Sequence, residues 1–273
     1  VTAIADILAG MAIAQFTFSD FSPALLVLST LGLYGGGVVM NDVFDARLDS
    51  VERPERPIPS GKVPLTQAAT MGISLLLLGI VAAAAFSLQS GMIAVVVAML
   101  TVLYNRFAKH HIFFGPLVMG MCRGGNLILG MSVLPESFQQ WAFIAIFPIM
   151  YIGAITLISQ DEVHGGKKRT LYIAAFLYLA VLVAQLTIAQ GKGNLLFTIP
   201  FVLLHAWFIF RPLWNAMQNP IGPLIGKAVK AGVISLIVMN ASWCAAFGLL
   251  PIAIAVLALL PLSMYLAKAF AVT

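Results

Sequence analysis

The chain has 273 residues, 61% of them hydrophobic and 9% charged, with a mean hydropathy of +1.00 and a formal net charge of +5. Such a composition excludes an ordinary soluble domain, and with no basic helix or basic soluble segment there is no reason to expect nucleic acid as a partner. Cys122 and Cys244 lie far apart in apolar runs and are read as core residues rather than a metal or redox pair.

From the N-terminus onward, apolar runs of about 18 or more residues recur, each long enough to cross a ~30 Å hydrocarbon core. Helices are the way such runs satisfy their backbones in lipid. The predicted spans are 1–18, 22–46, 66–89, 91–108, 112–134, 139–160, 170–190, 194–214, 224–248 and 250–270. That makes ten; the last two are divided only around Gly248–Pro251, so nine is the alternative. The expected fold is all-α, a single polytopic transmembrane helical bundle over residues 1–273 around a central cavity opening at the cytoplasmic side. A start at Val1 rather than Met implies that a short N-terminal piece precedes it, and no cleavable signal peptide is expected because no basic region precedes Val1.

Lys and Arg set the orientation. With the first end inside, all of them fall on the inner side except Arg123, within a span, and Lys192, outside. This positive-inside pattern predicts a multi-pass protein of the bacterial inner membrane whose cationic cytoplasmic face attracts anionic lipid or substrate. The outer loops are short and poor in polar groups, so chemistry is expected at the inner side.

The second predicted span runs into "NDVFDARLDSVERPERPIPSG", residues 41–61. Asn41, Asp42, Asp45 and Asp49 form N-D-x-x-D-x-x-x-D. On a helix, Asp42, Asp45 and Asp49 share one face, and Asn41 and Asp45 are i, i+4 neighbours. Three carboxylates on one stripe repel unless a cation lies between them. Hard oxygen donors point to Mg²⁺, which binds through a few carboxylates, waters and substrate phosphates. The competing reading is a solvated helix end whose acids pair with Arg47, Arg53 and Arg56. Ionisable groups at the end of a membrane span are costly, which favours function. Arg53 and Arg56 follow in a loop stiffened by Pro54, Pro57 and Pro59, and fixed guanidinium forks suit diphosphate oxygens.

This acidic motif followed by "RPERPIPSG" resembles the first signature of the UbiA superfamily of intramembrane prenyltransferases, and hydropathy and loop placement are similar over nearly the whole chain. The resemblance implies a helical bundle that holds a prenyl diphosphate with Mg²⁺ and transfers the prenyl group, through an allylic cation, to a small and often aromatic acceptor. It implies metal ligation by Asn41, Asp42, Asp45 and Asp49 and diphosphate contacts from Asn41, Arg53 and Arg56. The family also carries a Tyr followed by a Lys four residues later, after the fourth helix. Here Tyr104 is followed by Lys109 at five, in "LYNRFAKHH", and the pair is expected at the diphosphate; an interfacial Tyr with a snorkelling Lys carries equal weight.

The family's second acidic motif, D-x-x-x-D at the end of the sixth span, corresponds to "LISQDEVHGGKKRT". Glu162 stands where the second acid is expected, Asp161 adds a neighbouring carboxylate, and Ile158 occupies the place of the first. The resemblance implies catalytic roles for Asp42, Asp45, Asp49, Asp161 and Glu162, metal ligation by Glu162, and diphosphate contact by Lys167. His164 is a further donor, and Lys167, Lys168 and Arg169 either compensate for lost charge or anchor the inner side. By fold-level analogy, the ends of spans two and six face each other across one cavity.

Within the membrane, Arg123 lies in "GPLVMGMCRGGNLILG" with Asn126 at i+3. An Arg at that depth faces a partner or a watery cavity, and a substrate or diphosphate contact by Arg123 and Asn126 is weighed above an internal salt bridge. Gly32/Gly36 and Gly120/Gly124 form G-x-x-x-G pairs that close helix packing explains. His205 is read as a hydrogen-bonded packing residue. Together with "EVHGG", the stretch "MGMCRGGNLILGMSVLPE" resembles more specifically the UbiA-like branch of bacterial ebo clusters, which implies export or processing of metabolite precursors.

The expected function is Mg²⁺-dependent transfer of a polyprenyl group from its diphosphate to a small acceptor in the membrane. The alternative, favoured by Ile158, is an altered UbiA-like protein that binds or helps move a lipophilic precursor. An ion-coupled transporter calls for broken helices with midplane polar groups, whereas these acids lie at span ends.

Overall fold

A computed structural model describes residues 1–16, 21–160 and 168–269. Its helices are α1 (Thr2–Ile13), α2 (Ala24–Glu52), α3 (Leu65–Phe86), α4 (Leu88–Leu103), α5 (Phe114–Met131), α6 (Pro135–Trp141), α7 (Ile146–Ser159), α8 (Lys168–Gly191), α9 (Leu195–Gln218), α10 (Gly222–Ala246) and α11 (Leu250–Ala269). A π-helical turn, Tyr104–Ala108, extends α4, and a 3₁₀ turn, Ala142–Ala145, joins α6 to α7. The described residues contain no strand.

Among the described residues, seven stretches are long and apolar enough to cross a membrane: α2, α3, α4 with its π turn, α6 through α7, α8, α9 and α10. Thr2–Ile13 and the Leu250–Leu266 part of α11 are shorter apolar helices. In α5, Arg123 and Asn126 lower the hydropathy of an 18-residue helix. The protein is therefore a multi-pass membrane helical bundle with seven candidate spans, where the sequence predicts nine or ten. Apolar side chains such as Val81, Phe176 and Leu203 cover its outside, as lipid requires.

α1 is buried on almost every side, which suits a helix that is apolar all round. It sits with α5 between two halves. One buried cluster joins α1 and α5 to α2, α3 and α4; the other joins them to α7 through α11. Gly10 of α1 and Gly130 of α5 meet backbone to backbone, so a methyl on either would overlap the opposite chain. That contact carries Asp6 of α1 to the side of α5. The predicted G-x-x-x-G contacts are also present: a Cβ on Gly32 would lie 2.7 Å from the Leu75 carbonyl oxygen, and one on Gly120 would lie 2.6 Å from that of Ile149.

Candidate functional site

α2 ends at Glu52 because Pro54 disfavours a helical conformation at the residue before it, and Arg53 leaves the helix at φ −145°, ψ 62°. The proline-rich loop then folds back, with Ser60 N donating to Arg56 O (2.9 Å) and Val63 N donating to Pro57 O (3.0 Å). This turn returns Arg56 to the helix it has just left.

Successive helical residues are about 100° apart, so Asn41 and Asp45 occupy one flank of the stripe and Asp42 and Asp49 the other. Arg56 Nη1 donates to Asp49 Oδ2 (2.9 Å) and Asp42 Oδ1 (3.2 Å). Lys109 Nζ donates to Asn41 Oδ1 (3.0 Å) and to Asp45 Oδ2. Two basic side chains, Arg56 and Lys109, thus lie among these acids, each donating to two side-chain oxygens. Among the described residues no group of three or more Asp, Glu, His or Cys converges. Arg47 and Arg53 are exposed, so of the three arginines weighed as partners only Arg56 pairs with the acids.

Lys109 reaches its partners because the Tyr104–Ala108 segment is a π turn. The Lys109 N–H donates to the Tyr104 carbonyl at 3.0 Å, an i→i+5 bond. The wider turn absorbs the one-residue excess between Tyr104 and Lys109. Asn105 fastens it to α2 by donating from Nδ2 to Gly37 O (3.1 Å).

Behind these charges lies a cavity of about 360 Å³ between α1, α2, α4 and α5. Asn41, Tyr104 and Asn105 line the charged end; Leu33, Val97 and Met119 form apolar walls; Thr30, Arg123 and Asn126 line the other end. Thr30 is eleven residues before Asn41 on α2, a separation of about 16 Å. Tyr34 and Val38 also line the cavity while remaining 54% and 50% exposed, so one wall is shared with the lipid-facing surface. No described residue of α7 through α11 lines it. Among the described residues its lining comes from α2 and α4 of the first half and from α1 and α5, which sit between the halves.

Asp161, Glu162, His164 and Lys167 lie outside the described residues. Ile158 is fully buried in the core of the second half.

At the inner end the structure revises the expectation for Arg123 and Asn126. Both line the cavity, yet both are held internally by Asp6, a 1% exposed residue that the sequence reading passed over. Arg123 Nε lies 3.1 Å from Asp6 Oδ2. Asn126 Nδ2 donates to Asp6 Oδ2 (3.1 Å) and Ala3 O (2.9 Å), and Asn240 Nδ2 donates to Asp6 Oδ1 (2.7 Å). Thr30 Oγ1 donates to Asn126 Oδ1 at 2.6 Å. The internal salt bridge, given the lower weight, is the one that forms. The signal was available: a lone acid and a lone Arg inside apolar segments are each costly, and each implies the other.

Two further expectations change. Cys122 lines the cavity rather than the core, with its sulfur 3.9 Å from Thr101 Oγ1. His205 packs against the Tyr151 ring at 5.3 Å, but neither ring nitrogen has a hydrogen-bond partner.

Comparison with known proteins places this architecture. A digeranylgeranylglyceryl phosphate synthase of Methanosarcina barkeri is 34% identical over 116 residues, 42% of this chain and 40% of that protein. One of Thermococcus kodakarensis is 28% identical over 250 residues, 85% of this chain and 90% of that protein. This chain thus spans less than half the length of the first relative and most of the second. A UbiA homolog from Aeropyrum pernix K1, seen in its apo structure, shares the fold at a TM-score of 0.73 and 14% identity, over 88% of this chain and 95% of that one. Residues 3–221 match the UbiA prenyltransferase family, and on that match the chain belongs to it.

Proposed function

We propose that this protein transfers a polyprenyl group from its diphosphate to a small aromatic acceptor held in the cavity, with Mg²⁺ bound at the charged end. The observation that carries the reading is the pairing there of four oxygen donors with two basic side chains, Lys109 and Arg56. The donors suit a hard divalent cation. Asn41 Oδ1 and Asp45 Oδ2 already converge on an ammonium group, and Asp42 and Asp49 converge on a guanidinium. Asn41, Asp42, Asp45 and Asp49 are the proposed metal ligands, with Glu162 and Asp161 assigned to the same role from the second stretch. Bound there, Mg²⁺ supplies Lewis-acid stabilisation of the departing diphosphate.

Lys109 and Arg56, exchanged from carboxylate to diphosphate oxygens, neutralise the same charge, Arg56 as a two-pronged donor and Lys109 as a point charge. Arg53, Tyr104 and Lys167 are assigned to support them. The C–O bond between prenyl group and diphosphate breaks, and its electron pair leaves with the diphosphate. The acceptor bonds to the allylic carbon and loses a proton. The rings of Tyr34 and Tyr104 line the space where the allylic cation forms and stabilise it. The exposed α2 wall at Tyr34 and Val38 allows the prenyl chain to lie toward lipid. We assign the charged end to the cytoplasmic side of a bacterial inner membrane, on the positive-inside distribution of Lys and Arg, and the whole of 1–273 to one domain.

The test is incubation of reconstituted protein with Mg²⁺, radiolabelled prenyl diphosphates and candidate acceptors. Diphosphate release that stops on chelation and is lost in Asp45→Ala supports the reading. Saturable Mg²⁺-dependent binding with no release at any chain length supports the second reading, a carrier of a lipophilic precursor. Ile158 favours that alternative, since an apolar side chain buried in the core stands where the family resemblance calls for an acid.

A further inference from the structure

We infer that the inner end of the cavity is an acceptor subsite selective for a neutral, oxygen-bearing head group, and that Asp6 is the residue that excludes carboxylate and phosphate acceptors. The inference rests on the transferase reading above and names the substrate class of that site.

Arg123 is the cation facing the inner end of the cavity, and an unopposed Arg in an apolar setting would attract an anion. Here its charge is already matched by Asp6 at 3.1 Å. Both oxygens of Asp6 accept hydrogen bonds, from Asn126 and Asn240. The pair is therefore fixed on several sides and does not release its arginine as an exposed ion pair would. An acceptor carboxylate or phosphate at Arg123 would bring a second negative charge close to a buried carboxylate, and like charges repel strongly where water is scarce.

The hydrogen-bond inventory selects the same class. The Thr30 hydroxyl and the Asn126 amide line this end, but both already donate internally. The Arg123 side chain, 10% exposed, lines this end, while its buried Nε and Nη2 have no hydrogen-bond partner. The accessible edge of a guanidinium so poorly supplied with acceptors takes one neutral oxygen, a hydroxyl or a carbonyl, without adding charge beside Asp6. Leu33, Val97 and Met119 surround the rest of such a molecule with apolar wall. Thr30 and Asn126 also leave this end too polar for the prenyl chain, which has the lipid-facing α2 wall instead.

The experiment measures equilibrium binding of two matched pairs of probes to the purified full chain in lipid nanodiscs. One pair is 4-hydroxybenzyl alcohol and 4-hydroxybenzoate; the other is an octyl glyceryl ether and its phosphate ester. In the wild-type protein the neutral member of at least one pair binds saturably, and its anionic partner binds about tenfold or more weakly, the scale of one uncompensated charge contact. Asp6→Asn frees the Arg123 charge, so the anionic member gains about tenfold or more and the preference for the neutral member is removed. The double variant Asp6→Asn/Arg123→Gln removes both charges and loses the gain in anion binding; where the single variant fails to fold, the wild-type selectivity alone tests the inference. Equal binding of both members to the wild type, binding of neither, or a preference unchanged in folded Asp6→Asn overturns the inference. Diphosphate release is not read here, so loss of turnover with the selectivity intact counts against the transferase reading and not against the subsite.

Discussion

Two charge clusters of similar composition sit at opposite ends of one cavity and are built for opposite purposes. At the mouth, Arg56 and Lys109 hold Asp42, Asp45, Asp49 and Asn41 from a loop and a π turn, and most of these side chains are partly open. The Arg56–Asp42 contact, 25% and 44% exposed, is of the kind that contributes about 0–1 kcal/mol, so it can exchange partners with an incoming ligand. At the inner end, Asp6 and Arg123 are enclosed by rigid helices that meet at Gly10 and Gly130. Breaking a pair of this kind leaves a buried charge and costs about 3–5 kcal/mol. The same functional groups are therefore exchangeable at one end and structural at the other, and burial makes the difference.

The comparison breaks first at Asp6. Asp6→Ala is expected to destabilise the protein by about 3–5 kcal/mol, read as a drop in the denaturant midpoint in detergent; a cost below about 1 kcal/mol would make the inner pair equivalent to a surface one. Asp45→Ala is the converse. We expect turnover to fall about 10²–10³-fold, as on loss of one electrostatic contact to the transition state, with the unfolding midpoint nearly unchanged. A parallel loss of stability would show that the mouth is structural too. Gly130→Ala pushes α5 off α1 and should cost about 1–3 kcal/mol, the range for overpacking; it should also weaken the wild-type preference for neutral probes, because it moves Arg123 relative to Asp6. Of the two loop arginines, Arg56→Gln should weaken diphosphate binding about tenfold, the scale of one charged hydrogen bond, while Arg53→Gln changes it by less than about threefold. Chelation should sharpen the picture last, abolishing turnover while leaving the melting temperature in place, since Lys109 and Arg56 balance the acids when the metal is removed.

The mouth was legible in the sequence because its residues are consecutive. Asn41 to Arg56 carry their spacing, their prolines and their family likeness in one line of text. Lys109 was legible by resemblance, but its one-residue offset from Tyr104 found its explanation only in the π turn. Asp6 was not legible from its own surroundings. It is one acid in a short apolar helix, and its partners Arg123, Asn126 and Asn240 lie more than a hundred residues away. For the same reason the salt bridge of Arg123 carried less weight in the sequence than a substrate contact.

The amino-acid sequence by itself determined that this chain lives in lipid as a helical bundle, which end carries its charge, and where the first acidic motif lies. Hydropathy, the preference of Lys and Arg for one face, and helical periodicity are properties of short stretches. Only the tertiary structure decided which charges are free and which are spent. Pairing depends on contacts such as that of Gly10 with Gly130, which bring distant helices close enough for one carboxylate to hold one guanidinium in a medium where neither could remain alone.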